Sequence, residues 1–320
     1  MNWVQLNQPI MAVLSTPSRE LNPDEFLELG LEMLGYDRSR RSKSSKKRNV
    51  DRFTSQYGSA HVVVAKLWQD LLTTDDQNAR VDPNKADACN FLVALYFLRK
   101  YPTEDDLEAT FQMCVKTARK WCWYYAEKIQ ALKATTIVWP DQWKDGHIIP
   151  NESETFLVSV DGVHCRVNEP KHPEYPKNHK MYSHKFKTAG LNYEVAISLW
   201  ESKVVWVNGP FEASVGDLTI FRKTNGLESI IPAGCLATAD QGYRGDSDKL
   251  SLPCSLDPEG VRRFKSRARA RQESFNARLK QFKCLSQAFR HHLSKHKCCF
   301  EAVAVICQYQ LDNGFELYDV

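Results

Sequence analysis

FLVSVDGVHCRV, residues 156–167, decides the fold of the second half of this 320-residue chain. β-Branched and apolar residues fill the run, as in a strand buried within a sheet, and Asp161 interrupts it near the middle. A carboxylate there is expensive to bury unless a cation compensates it. Working outward, LNYEVAISLW (191–200) and KVVWVNGP (203–210) repeat the strand pattern, and the gap between Trp200 and Lys203 suits a hairpin. EASVGDLTIFRKT (212–224) predicts a helix through Val215, Leu218, Ile220 and Phe221. GCLATAD (234–240) reads as a short strand buried on both faces, stopping at Asp240 just before Gly242. LSLPC (250–254) reads as a further strand, and residues 263–311 are helical in pattern with a break near Lys283. Three paired strands, a helix, two more strands and then helices predict a mixed sheet flanked by helices, an α/β (α+β) architecture.

The last helical stretch carries a third acid. Arg269, Glu273, Asn276, Lys280 and Lys283 recur at helical spacing and line one face, while Phe264, Ala268, Phe275, Leu279 and Phe282 lie opposite and are expected to pack on the sheet. Taken singly, each acid has a plain explanation: Glu273 balances Arg269 and Lys280, and Asp240 caps a turn. Taken together, Asp161, Asp240 and Glu273 are candidate catalytic and metal-binding residues, because hard oxygen ligands on two strands and a helix suit divalent ions. Charge supports a polyanionic partner. Residues 261–300 hold twelve Lys or Arg against the single acid Glu273, leaving 31 basic and 38 acidic residues elsewhere. Arg269, Arg271, Asn276, Lys280 and Lys283 are therefore expected to contact DNA, its phosphates above all.

Upstream, residues 1–60 read as a largely flexible segment with a short helical pattern at 23–34. The run RSRRSKSSKKR (38–48) has no apolar residue and is expected not to pack; it serves as a solvated linker, a nuclear-import signal or a DNA-contacting arm. Residues 61–135 read as a helical domain. NKADACNFLVALYFLRKY (84–101) is apolar nearly all round, as in a helix buried within a bundle. Pro102 and Thr103 start the next helix, a break follows at 112–114, and VKTARKWCWYYAEKIQAL (115–132) continues. Val115, Ala118, Cys122, Tyr125, Ile129 and Leu132 face inward; Lys116, Arg119, Lys120, Trp123 and Lys128 project away. This is a helix-turn-helix arrangement with Lys116, Arg119 and Lys120 as candidate DNA contacts, or an ordinary helical hairpin with a wetted basic face. Residues 136–154 read as a linker and 155–320 as the second domain.

Other features exclude or add little. No stretch approaches the roughly 20 apolar residues that cross a bilayer, and the opening residues lack the pattern of a secretory signal. The ten cysteines are mostly single within apolar runs and include no CxxC pair, as expected of buried intracellular thiols. His292 and His296, four apart beside His291, Cys298 and Cys299, have a spacing that supports zinc, but an apolar stripe on the same helix puts the histidines on its wetter side. His164, His172, His179 and His184 lie along a lysine-rich stretch with Lys171, Lys177, Lys180, Lys185 and Lys187, either a solvated loop or a DNA-contacting one. No phosphate loop, dinucleotide fingerprint or GxSxG elbow occurs.

The stretches VDGVHCRV, HKMYSHKFKTAGLNYEVAISL, NGPFEASVGDLTIFR, ATADQGYRG and RQESFNARLKQFKCLSQAFRH together resemble the DDE endonucleases of PIF/Harbinger-type transposases and their domesticated relatives, across residues 156–309. The resemblance implies a ribonuclease H-like fold and two Mg²⁺ or Mn²⁺ ions held by Asp161, Asp240 and Glu273, with Asp161 bridging them. It implies cleavage of DNA phosphodiester bonds, with strand transfer by the released 3′-OH in a transposase. An Asp in the helix after the third strand, here Asp217, has a structural or supporting role. Nuclear location, a separate Myb-like DNA-binding partner and a homo-oligomer are further expectations of this kind. A domesticated, non-catalytic DNA-binding or adaptor protein that keeps the fold is the alternative.

Overall fold

The computed structural model describes residues 20–141, 143, 147–148, 155–168, 179–245 and 248–320. They form two compact units, Met1–Leu132 with Phe282–Cys284, and Lys133–Gln281 with Leu285–Val320. No helix among the described residues is long and apolar enough to cross a membrane.

The first unit is all helical: α1 (Pro23–Met33), α2 (Arg38–Ser42), α3 (Lys46–Tyr57), α4 (His61–Thr73), α5 (Ala88–Lys100), α6 (Glu104–Phe111) and α7 (Val115–Ala131). The expectation of a largely flexible 1–60 is corrected over its described part, which carries three side-chain-capped helices. Asn22 and Glu25 form a capping box on α1, and Asp37 and Ser45 cap α2 and α3. Phe26, Leu31, Phe53 and Tyr57 enter the core. Most of the basic run stays exposed, but Arg41 packs because its charge finds acceptors. Buried Arg41 donates to Glu28 at 2.8 Å and to the Tyr36 carbonyl, and it carries the carbonyl that Asn49 donates to at 3.1 Å. Apolar content alone missed this; a cation can be buried through its acceptors without any apolar face around it.

Helix α5 buries nine residues, Cys89 to Leu98 without Tyr96, as an all-round apolar helix should. Thr103 and Asp106 box the start of α6, and Gln112, at φ 50°, makes the turn into α7. Ala118, Cys122, Tyr125, Ile129 and Leu132 are buried as expected, whereas Val115 is only half-buried. Trp123 and Lys128 do not project freely. Trp123 meets Phe97 edge-on at 5.4 Å, and Lys128 donates to the carbonyls of Gln77 and Asn78.

The second unit is a mixed sheet flanked by helices, α/β in class. It runs α8 (Lys133–Thr136), β1 (His147–Ile148), β2 (Thr155–Arg166), β3 (Tyr182–Ser183), β4 (Thr188–Ser198), β5 (Val204–Glu212), α9 (Asp217–Phe221), α10 (Leu227–Ile230), β6 (Cys235–Thr238), β7 (Leu250–Ser251), α11 (Glu259–Lys280), α12 (Lys283–Ser286) and α13 (His296–Asp312). Strands β5, β4 and β2 pair antiparallel; β6 and β7 then add parallel to β2, in the order β5-β4-β2-β6-β7. That order is the ribonuclease H-like one. Central β2 is covered on both faces. Leu157, Val158 and Val160 pack towards Phe221 and Leu227, and Phe156 packs towards Phe264 and Ala268 of α11. Most of the expected linker 136–154, and Lys171, His172 and Lys177 of the lysine-rich stretch, lie outside the described residues.

Candidate carboxylate site

Parallel pairing of β2 with β6 matches Ser159 to Thr238. Two residues further along each strand direction stand Asp161 and Asp240, so the acids 79 positions apart meet where β6 ends beside the middle of β2. Helix α11 lies across this end. Asp161, Asp240 and Glu273 line one small cavity of about 50 Å³, together with Ser159, Thr238 and Gln272. Asp161 and Asp240 therefore flank a common space, with Glu273 at its rim.

Their settings differ. Asp161 Oδ1 accepts from the Gly162 N–H at 2.8 Å, and its Oδ2 accepts from the Asn276 amide at 2.8 Å. Burial pushes its pKa up to about 7, and the Asp240 carboxylate adds to this; the Gly162 N–H opposes it, Asp217 raises it further and Lys185 lowers it. Asp240 caps the turn Gln241–Tyr243, its Oδ1 accepting from Gly242 N at 2.7 Å. Glu273 stands at the exposed rim with its carboxylate 3.3 Å from the Arg269 guanidinium. Among the described residues no group of three His, Cys, Asp or Glu stands close enough to hold a metal ion. The acids share the cavity with Glu273 turned outward.

Asp217, expected in a structural or supporting role, stands beside Asp161 and Asp240. A Cβ on Gly162 would lie 2.5 Å from Asp217 Oδ1, and one on Gly242 would lie 2.8 Å from both Asp217 Oδ2 and Asp240 Oδ1. Both glycines are needed because no side chain fits beside these carboxylates. Burial raises Asp217, Lys185 opposes this and Asp240 adds to it. Behind it, Glu194 of β4 sits opposite Gly162 and is 1% exposed. Glu194 Oε2 accepts from the Trp206 indole at 3.0 Å; its Oε1, like the Tyr243 hydroxyl, has no partner among the described residues. Burial drives Glu194 up to about 8, with the Trp206 N–H opposing and Asp217 adding.

The sign for stability follows directly. A carboxyl whose folded pKa lies above its unfolded value binds protons more tightly when folded, so its contribution is fully present below about 4.5 and is lost as pH rises through about 8. Glu194→Gln keeps an acceptor for Trp206 and removes this titration. The variant is expected to gain on the wild type between pH 5 and pH 8.5, reaching on the order of 3 kcal/mol. Asp161 and Asp217 titrate in both proteins and cancel in the difference. Parallel melting-temperature profiles for the two proteins would refute an ionisable, buried Glu194.

A polar relay on α11 was not anticipated. Ser159 Oγ donates to Gln272 Oε1 at 2.7 Å, Gln272 Nε2 donates to the Val195 carbonyl and to Asn276 Oδ1, and Asn276 holds Asp161. The four-residue step from Gln272 to Asn276 is the signal that could have found it. Asn276 is thus a partner of Asp161.

The basic stretch is corrected. Arg271 is 2% exposed and donates to the carbonyls of Ser198 and Glu201, so it faces the sheet and no phosphate. Lys280 donates to the carbonyls of His164 and Leu285. Lys265 is held by Leu252 O and Asp257, and Arg278 by Glu316 O. These cations are taken up by backbone carbonyls, and Lys265 by the Asp257 carboxylate as well. Arg269 and Lys283 remain exposed. In the helical unit Lys116 and Lys120 are exposed, while Arg119 grips Glu104 through two contacts of 2.6 Å. His296 is fully buried, against the expected wetter side. Its Nδ1 pairs with Tyr193 Oη at 2.8 Å and burial drives its pKa down to about 3, while Cys298 and Cys299 are buried beside it.

Residues 160–308 match the sequence profile of a family described as DDE superfamily endonuclease, a span a little under half the chain. It begins one residue before Asp161 and takes in Asp217, Asp240 and Glu273. The match supports a nuclease- or transposase-type function, with DNA as the implied substrate. Searches of curated proteins and of solved structures return no match.

Proposed function

We propose that this protein is a metal-dependent nuclease that cleaves DNA phosphodiester bonds, with Asp161, Asp240 and Glu273 as its catalytic carboxylates. The observation that carries this reading is the meeting of the three acids, from two strands and a helix, in one cavity within the region that matches DDE endonucleases.

The donors suit a divalent cation in kind and in charge. All are hard oxygens, as Mg²⁺ or Mn²⁺ prefers. Burial first and the neighbouring Asp240 and Asp217 carboxylates second raise the pKa of Asp161, and a cation would relieve both. Glu273 must turn inward and leave Arg269, but that pair is exposed and worth under about 1 kcal/mol. Asp161 and Asp240 would hold the ions with Glu273 closing the set. Two such ions stabilise the attacking and leaving oxygens of an in-line displacement. The chain's own contribution is orientation: Asn276 fixes Asp161, Gln272 fixes Asn276, and Gly242 N–H fixes Asp240. Lys116, Lys120, Arg269 and Lys283 would hold backbone phosphates with little sequence preference.

The PIF/Harbinger relationship, strand transfer, a nuclear location and a Myb-like partner belong to this proposal. The outward Glu273 favours a second reading, a DNA-binding protein that keeps the fold without catalysis. Nicking of supercoiled plasmid in Mg²⁺ or Mn²⁺ separates them. The nuclease reading expects relaxed circles that disappear with EDTA and with Glu273→Gln; binding without any metal-dependent nicking leaves the second.

A further inference from the structure

Beside the carboxylate cavity runs a wider groove of about 470 Å³, lined by Gly162, His164, Arg166, Phe186, Thr188 and Asn276 among others. Gly162 and Asn276 line this groove and link it to the cavity, since both donate hydrogen bonds to the Asp161 carboxylate. Phe186 sits in the turn between β3 and β4 and remains 48% exposed. Its ring lies flat on the His164 imidazole, with centroids 4.4 Å apart and planes inclined 13°. His164 is itself pinned, one ring nitrogen 3.0 Å from Asn192 Oδ1 and the other 3.3 Å from Thr188 Oγ1. The aromatic platform is therefore fixed in advance, not a loose surface side chain.

Cations flank it. The Lys185 ammonium lies 5.5 Å from the Phe186 ring centre, and the same ammonium acts on Asp161 and Asp217. Arg166 is exposed on the groove wall. An oriented aromatic face between a lysine and an arginine, opening onto a phosphodiester-cleaving site, has the make-up of a base-stacking seat.

We propose that this groove seats an unpaired nucleotide of single-stranded DNA, its base stacked on Phe186 and its phosphates beside Lys185 and Arg166. The proposal rests on the nuclease reading above and names the form of substrate that the site takes. A base within a duplex offers only its edge, because its faces are covered by its neighbours. Stacking on Phe186 thus requires a base freed from its stack, as at a strand end or an opened junction. A groove of about 470 Å³ has room for one such nucleotide.

The test uses the full chain in EDTA, so that no strand is cut. The probes are a blunt duplex and the same duplex with a short single-stranded end carrying a fluorescent adenine analogue. Wild type is expected to bind the single-stranded end more tightly than the blunt duplex and to quench its fluorescence. Phe186→Ala is expected to lose about tenfold in affinity for that end, to abolish quenching and to leave blunt-duplex affinity unchanged. Phe186→Trp should retain both signals, which shows that the position and not the fold is being read. Equal binding of both probes by wild type, an unaltered Phe186→Ala variant, or an equal loss on both probes would each overturn the seat. Because binding is read without cleavage, a protein that stacks the base but never nicks would sink the nuclease reading and leave the seat standing.

Discussion

Asp161→Asn is expected to reduce metal-dependent nicking by at least about a thousandfold, roughly 4 kcal/mol of barrier. The substitution keeps the side chain's size and one acceptor for the Gly162 N–H, which lies 2.8 Å from Oδ1. It removes the charge at the point where β2, β6 and α11 meet. Folding should not suffer. The carboxylate is held in a half-buried place against Asp240 and Asp217, and its raised pKa shows that the protein disfavours the charge there. The neutral variant should melt no lower than the wild type near pH 8 and should still bind DNA. A variant that nicks at the wild-type rate, with folding intact, would remove Asp161 from catalysis and the proposed function with it.

The second large effect concerns stability. Arg271→Ala is expected to lower stability by about 3 kcal/mol, since it strips the Ser198 and Glu201 carbonyls of a charged donor inside the protein. For a unit of this size that corresponds to a drop in melting temperature of about 6–12 °C. DNA affinity and its salt dependence should barely change. Arg269→Ala should behave in the opposite way, since Arg269 is exposed: melting unchanged, affinity weaker and the salt slope shallower. If Arg271→Ala melted like the wild type while losing DNA affinity, its role as an internal brace would be wrong.

Much of the architecture was legible in the chain. Long β-branched runs such as 156–167 and 191–200 emerged as β2 and β4, because a central strand covered on both faces leaves an unbroken apolar signature. Pro102 and Thr103 marked the start of α6, where Thr103 and Asp106 cap the helix by purely local hydrogen bonds. The three acids were also legible as chemistry, since an acid inside an apolar run is costly enough to demand a reason. What misled was charge. Arg271 and Lys280 read as surface cations by type and spacing, yet each ends on carbonyls from residues more than seventy positions away in sequence, those of Ser198 and His164. No local pattern encodes such partners. The same holds for Asp217, whose place beside Asp240 depends on two glycines, Gly162 and Gly242, from separate elements.

The sequence by itself determined the main strands and helices of the second unit, the kind of ligand atoms available and the concentration of positive charge after residue 260. Those follow from side-chain pattern and composition, which act over a few residues. Only the tertiary structure decided which acids stand together, that Glu273 faces Arg269 at the rim, and which cations brace the interior rather than meet a phosphate. These outcomes depend on strand register and helix rotation, which bring distant atoms within hydrogen-bonding reach and exclude water around them.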